Sequence, residues 1–172
     1  MRGRGGPVDP GSFQHWVRVD VRYSDLDTQG VVNNATYLTY FEHARVQFFE
    51  RLRGEAGGND GTDRQGGATG YTATDMPFVL ARATCAYRHP ITSLAPVHVG
   101  VRCTEAGRAT IEMEYAICDR PEFGAVLYAS GTTTAVCVDA RTGKPRSLPE
   151  WARRALGRPP DAPTEPGRRG LI

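Results

Sequence analysis

The chain has 172 residues and a formal net charge of +2, which suits one domain with a sizeable core and gives no general case for nucleic-acid binding. The charged N-terminus, MRGRGGPVDPGSFQHW, is followed by no apolar run, so it does not read as a secretory signal. No stretch approaches the ~18 apolar residues of a membrane span, and Cys85, Cys103, Cys118 and Cys137 stand far apart without a CxxC, as reduced core thiols of a cytoplasmic protein do.

In chain order, residues 1–13 are Gly- and Pro-rich and read as disordered. From Trp16 to Tyr23, Val17, Val19, Val21 and Tyr23 alternate with Arg18, Asp20 and Arg22, the period of a half-buried strand. The period then changes. Over residues 35–53 Leu38, Phe41, Ala44 or Arg45, Phe48 or Phe49, and Leu52 recur every three to four positions, which predicts one long helix of roughly 28 Å. The Gly-rich run 54–77 is too long for a simple turn and reads as a lid or an insertion; it holds no phosphate-loop motif. Strands are expected at about 78–88, 96–105, 109–118 and 125–139, with short connections suited to antiparallel neighbours. A short closing helix near 149–156 precedes a tail, 157–172, of disordered composition.

The chemistry concentrates in YSDLDTQGVVNNATYLTYFEHAR, residues 23–45. Asp25 and Asp27 lie just before Gly30, and Asn33-Asn34 open the helix. A carboxylate beside a helix N-terminus suits hydrolysis of an activated acyl group. The helix end offers unpaired N–H groups to a developing oxyanion, and the carboxylate supplies a nucleophile or general base. Each residue also has a plainer role: Asp27 can cap the turn, Asn34 can be the helix N-cap, and Gly30 can serve only the turn. Glu42 and Arg45, three apart on the helix, can pair with each other. His15, His43, His89 and His98 have no metal-ligand spacing, so no metal is expected; His43 is at most a pocket residue. Arg82, Arg88, Arg102 and Arg108 can meet phosphates or form a solvated face.

One long helix, one strand before it and four after it make an α+β chain of the hotdog type, a helix wrapped by a five- to six-stranded antiparallel sheet over residues 14–156. The segment Asp25-Leu26-Asp27-Thr28-Gln29-Gly30-Val31-Val32 followed by Tyr37, with FEHAR at 41–45, resembles the hotdog acyl-CoA thioesterases of the 4-hydroxybenzoyl-CoA thioesterase type. AYRHPI (86–91) and VDARTGKPRSLP (138–149) resemble that family's closing strands.

The resemblance implies an acyl-CoA or acyl-carrier-protein thioesterase without a metal or redox cofactor. It implies Asp27 as the catalytic carboxylate and Asp25 as a loop anchor. The Asn34 end of the helix would polarise the carbonyl, and Gly30, Asn33, Tyr37 and Arg45 would contact substrate. It also implies a homodimer or homotetramer with the site at the subunit interface. Many relatives have a histidine where this chain has Val31, so a mechanism through that histidine is excluded. Two rivals stand: a non-catalytic hotdog protein that binds acyl thioesters, and a polyketide-type thioesterase that uses the Arg45 position, although that type carries Asn where this chain has Asp27. A hydratase on the same fold would need a His that the elbow lacks.

Overall fold

The computed structural model describes residues 9–56 and 77–157. Five strands, β1 (His15–Val19), β2 (Phe78–Tyr87), β3 (Val97–Ala106), β4 (Thr110–Cys118) and β5 (Leu127–Cys137), form one antiparallel sheet in the order β1-β3-β4-β5-β2. The long helix α1 (Thr36–Glu55) follows β1, and the short helix α2 (Glu150–Ala155) follows β5. This is the hotdog architecture, with five strands. The Gly-rich segment 54–77 and the C-terminal tail fall largely outside the described residues.

Alternation along the strands decides which face α1 covers. Val97, Val99 and Val101 of β3, Ile111, Met113, Tyr115 and Ile117 of β4, and Ala129 and Ala135 of β5 are buried on one side. Against them α1 sets Phe41, Ala44, Phe48, Phe49 and Leu52, all buried at helical spacing. Phe41 stacks on Tyr115 with centroids 4.6 Å apart. At the foot of the helix Phe49 stacks on Phe78 at 4.8 Å, and Trp151 of α2 closes over both rings at 6.2 Å.

Three boundaries differ from the sequence reading. The alternation that predicts a strand to Tyr23 continues in sequence, but β1 ends at Val19 and Tyr23–Asp25 form a 3-10 turn. The cause is the Asp25 carboxylate, which accepts the Arg22 amide at 2.9 Å, turns the backbone, and leaves Tyr23 exposed. Residues 9–13 have a disordered composition, yet Pro10–Ser12 form a 3-10 turn. The Trp16 indole N–H donates to the Pro10 carbonyl at 3.1 Å, Phe13 packs edge-on to Trp16, and the Arg102 guanidinium lies 5.6 Å from the Phe13 ring. Helix α1 also runs two residues past 53.

β2 is an edge. Among the described residues its only strand partner is β5, and Val79 and Leu80 stay 49% and 48% exposed. Such a strand presents a row of unpaired backbone groups.

Gly131 of β5 sets how closely α1 approaches. A Cβ there would lie 2.5 Å from the Phe41 ring and 2.4 Å from the Thr84 carbonyl oxygen. Gly131→Ala therefore costs about 1–3 kcal/mol through overpacking, read as a fall of several degrees in Tm. An unchanged thermal-unfolding midpoint would show that α1 is not seated by this contact.

Candidate active site

Residues 26–32 form a tight hairpin. Leu26 and Val32 make an antiparallel bridge, the Asp27 amide bonds the Val31 carbonyl at 2.8 Å, and the Gly30 amide bonds the Asp27 carbonyl at 3.0 Å. A three-residue loop of this kind needs a left-handed residue at its end, and Gly30 has φ of 75°. A Cβ on Gly30 would meet nothing within 4 Å, so conformation rather than space requires glycine in the single chain. Asp27 opens the turn. Its Oδ1 accepts the Gln29 amide at 2.8 Å and the Val31 amide at 3.4 Å, while Oδ2 takes no hydrogen bond among the described residues. The capping role is real, and it uses one oxygen.

The hairpin is stitched to the helix by Asp25. Its Oδ2 accepts the Tyr40 hydroxyl at 2.8 Å as well as the Arg22 amide, and its carbonyl accepts the Asn33 amide at 2.8 Å. Burial, reinforced by the hydrogen bond to Asp25, pushes the Tyr40 phenol far above its usual range, so it remains a donor. The Val32 amide bonds the Ile91 carbonyl at 2.9 Å and fastens the other limb.

At the helix entry the N-cap position is Ala35, which offers no capping side chain, and the side chain that serves the turn leading into it is that of Asn33, not Asn34. Asn33 Oδ1 accepts the Ala35 amide at 2.9 Å, and the Asn33 carbonyl accepts the Thr36 amide at 2.9 Å. The Asn34 amide meets no acceptor among the described residues. The Asn34 carbonyl instead takes the Tyr87 hydroxyl, from the end of β2, at 2.9 Å. Tyr37 is buried at 2% exposure beneath this elbow and packs edge-to-face on Tyr87 at 5.1 Å. Burial raises the Tyr37 phenol, with the Ile91 backbone opposing.

The structure therefore brings together Asp25, Asp27, Gly30, Asn33, Asn34 and Tyr37 on one hairpin and helix entry. Arg45 lies further along α1 and does not pair with Glu42. Glu42 is exposed and Arg45 half-buried; burial raises the Tyr115 phenol, opposed by its 2.9 Å bond with the buried Thr133 and by the positive charge of Arg45. The expected ion pair fails because Arg45 occupies the sheet-facing stripe between Phe41 and Phe49. The four candidate phosphate arginines are scattered. Arg82 lies on the edge strand, Arg88 just beyond it, Arg102 pairs with Glu114 on the far sheet face at 2.9 Å, and Arg108 reaches Ser147. His43 bonds Gln47 at 2.8 Å on the exposed side of α1.

Among the described residues no three His, Cys, Asp or Glu side chains gather to hold a metal. Burial raises the thiols of Cys85, Cys103, Cys118 and Cys137, that of Cys118 to about 11, so none is a thiolate at neutral pH.

A model of the thioesterase-like superfamily matches residues 21–156. The chain belongs to the thioesterase-like superfamily. The chloroplastic acyl-acyl carrier protein thioesterase ATL2 of Arabidopsis thaliana is 29% identical over 152 residues, 88% of this chain and 72% of the plant protein. Its companion ATL3 is 31% identical over 117 residues, 68% of this chain and 55% of that protein. A crystal structure of a thioesterase complexed with coenzyme A and Zn from Thermus thermophilus superposes with a TM-score of 0.65 at 33% identity, covering 84% of this chain and 98% of that one. Membership of the thioesterase-like superfamily supports thioester hydrolysis as the general activity. It also accounts for the position of the hairpin, inside the matched residues and against the start of α1.

Tyr87 and Tyr40 are the residues that sequence patterning missed. Both act through hydroxyls on partners 53 and 15 positions away, and no periodicity marks such bonds. For Asp25 the structure predicts a scaffolding effect. Asp25→Ala removes the acceptor for Tyr40 and Arg22 and is expected to cost ~2 kcal/mol, measured by denaturant unfolding, while kcat changes little. Undiminished stability would detach Asp25 from that role.

Proposed function

We propose that this protein hydrolyses an acyl-CoA or acyl-carrier-protein thioester to free acid and thiol, with the Asp27 carboxylate as nucleophile or general base and the Asn34 amide polarising the thioester carbonyl. The observation that carries this reading is the division of labour at Asp27. Oδ1 is spent on Gln29 and Val31, which fixes the carboxylate, and Oδ2 remains open beside an elbow whose Asn34 N–H has no acceptor among the described residues. A preorganised anion and an unpaired donor in one rigid turn are what acyl transfer needs.

Two routes use these atoms. In the first, Oδ2 attacks the carbonyl carbon, the C–S bond breaks to release thiolate, and water hydrolyses the resulting anhydride and regenerates Asp27. In the second, Asp27 takes a proton from water, hydroxide adds to the carbonyl, and that proton passes to the departing sulfur. In both, negative charge builds on the carbonyl oxygen, where the helix N-terminus and Asn34 N–H stabilise it. Gly30 and Asn33 flank the entry, Tyr37 supports it from beneath, and Arg45 lies further along α1 as a substrate contact.

Either carrier suits this chemistry, because coenzyme A and acyl carrier protein present the same pantetheine thioester. ATL2 is named for the carrier-protein substrate, and the Thermus structure holds coenzyme A. No described helix is long and apolar enough to cross a membrane, and four free cysteines fit a cytoplasmic setting.

The working form is a homodimer or a tetramer built from it. The open β2 edge and exposed Val79 and Leu80 support pairing of two β2 strands, which would close both edges. Light scattering at micromolar concentration should give a dimer or tetramer, and Leu80→Arg should shift it toward monomer with loss of hydrolysis. A folded, fully active wild-type monomer would remove the assembly from the mechanism.

Asp27→Asn is the decisive variant, because asparagine keeps an oxygen for the Gln29 and Val31 amides and replaces Oδ2 by NH2. Tm should stay within about a degree while kcat falls by roughly 10²–10⁴, followed as free thiol over a panel of acyl-CoAs and loaded carrier proteins. Full activity in Asp27→Asn would sink the carboxylate mechanism and favour hydrolysis through Arg45. Binding without hydrolysis by wild type would favour a non-catalytic thioester-binding protein.

A further inference from the structure

We propose that Tyr87 is a positioning residue of the thioester site: its hydroxyl, donating to the Asn34 carbonyl, restrains Asn34 from its C-terminal side and so helps hold the direction in which the Asn34 N–H points. This rests on the Asn34 amide polarising the thioester.

The argument starts from the irregular first turn of α1. In a regular α-helix the Asn34 carbonyl would accept the Leu38 amide four residues on. Here the Leu38 amide bonds the Ala35 carbonyl at 3.1 Å and the Thr36 amide bonds the Asn33 carbonyl at 2.9 Å, a tightened start that skips Asn34. The Ala35 amide is occupied by Asn33 Oδ1. The Asn34 carbonyl is therefore left out of the helix ladder, and its partner comes from β2 instead, the Tyr87 hydroxyl at 2.9 Å. Together these bonds fix the peptides on both sides of Asn34. The Asn33 carbonyl, which shares its peptide plane with the Asn34 N–H, is held by Thr36, and Tyr87 holds the following peptide through the Asn34 carbonyl, so Asn34 cannot turn about its own backbone bonds; its N–H remains without an acceptor among the described residues.

Tyr87 is itself well anchored. It pairs with Ala129 across the sheet, and the next two amides, Arg88 and His89, bond the Tyr128 carbonyl at 2.8 and 3.2 Å. Its ring stands at 89° to Tyr37. Burial raises its phenol, and the neighbouring Cys85 and Tyr37 act in the same direction, so it stays a donor at neutral pH. A ring 48% exposed would contribute little by burial alone. Its hydroxyl bridges the edge strand to the helix entry.

Tyr87→Phe tests this, since it keeps the ring on Tyr37 and deletes only the hydroxyl. In full-length protein, kcat for the best thioester should fall about tenfold, with KM within about twofold and Tm nearly unchanged. The backbone amide resonances of Asn34 and Ala35 should move while those of β3 and β4 stay in place. If wild type hydrolyses the substrate and Tyr87→Phe matches its kcat, the assignment of Tyr87 falls and the thioesterase reading stands. If kcat falls together with Tm, and shifts spread along β2 and β5, Tyr87 is a packing residue and the assignment also falls. A wild type that hydrolyses no thioester overturns the reading beneath both.

Discussion

The structure depends on how closely α1 lies on the sheet. Phe41 enters the space that the missing side chain of Gly131 leaves open, and stacks on Tyr115 from the neighbouring strand. Above this contact, toward the N-terminus, every atom of the elbow takes its height from the helix. Tyr40, one residue before Phe41, delivers its hydroxyl to Asp25, and Tyr37 supports Tyr87. The 3-10 turn, the hairpin and the helix entry are thus held by a core contact that no reacting group touches.

That arrangement separates stability from chemistry within very few residues. Asp25 and Asp27 are two positions apart at the start of the hairpin, yet they differ in what their oxygens do. Asp25 gives one carboxylate oxygen to both a tyrosine and an amide and its carbonyl to Asn33, and is engaged as scaffold. Asp27 caps its own turn with one oxygen and leaves the other open. A carboxylate with one oxygen pinned loses rotational freedom without losing its charge. That open oxygen is the one on which the proposed attack or proton transfer rests.

Much of this was legible in the sequence because it is local. The three-to-four-residue spacing from Leu38 to Leu52 marked α1 to within two residues at its C-terminal end, strand-like runs marked all five strands with the first drawn too long, and Asp27 three before Gly30 marked the turn. What escaped was non-local or rode on a single side chain. The alternation through Val21 and Tyr23 reads as strand, but one carboxylate at Asp25 bends the chain away after Val19. Glu42 and Arg45 have ideal spacing for an ion pair, yet Arg45 falls on the half-buried, sheet-facing side of α1 while Glu42 is exposed. Asp9 to Phe13 look like linker until Trp16 and Arg102 provide a surface for them.

The strand order also governs how such a chain is made. β1 and β2 flank α1 in sequence but occupy opposite edges of the sheet, and His15 finds its partner at Val101. Only β3, β4 and β5 form a meander of near neighbours. Local pairings close fastest and distant ones wait for loop closure. A chain emerging from the ribosome therefore presents α1, with Phe41, Phe48 and Phe49 uncovered, well before the strands that cover them exist. The hairpin bearing Asp27 can close its own turn early, but the seat of α1 that it is fastened to is complete only once β5 has been synthesised and Gly131 has received the ring of Phe41.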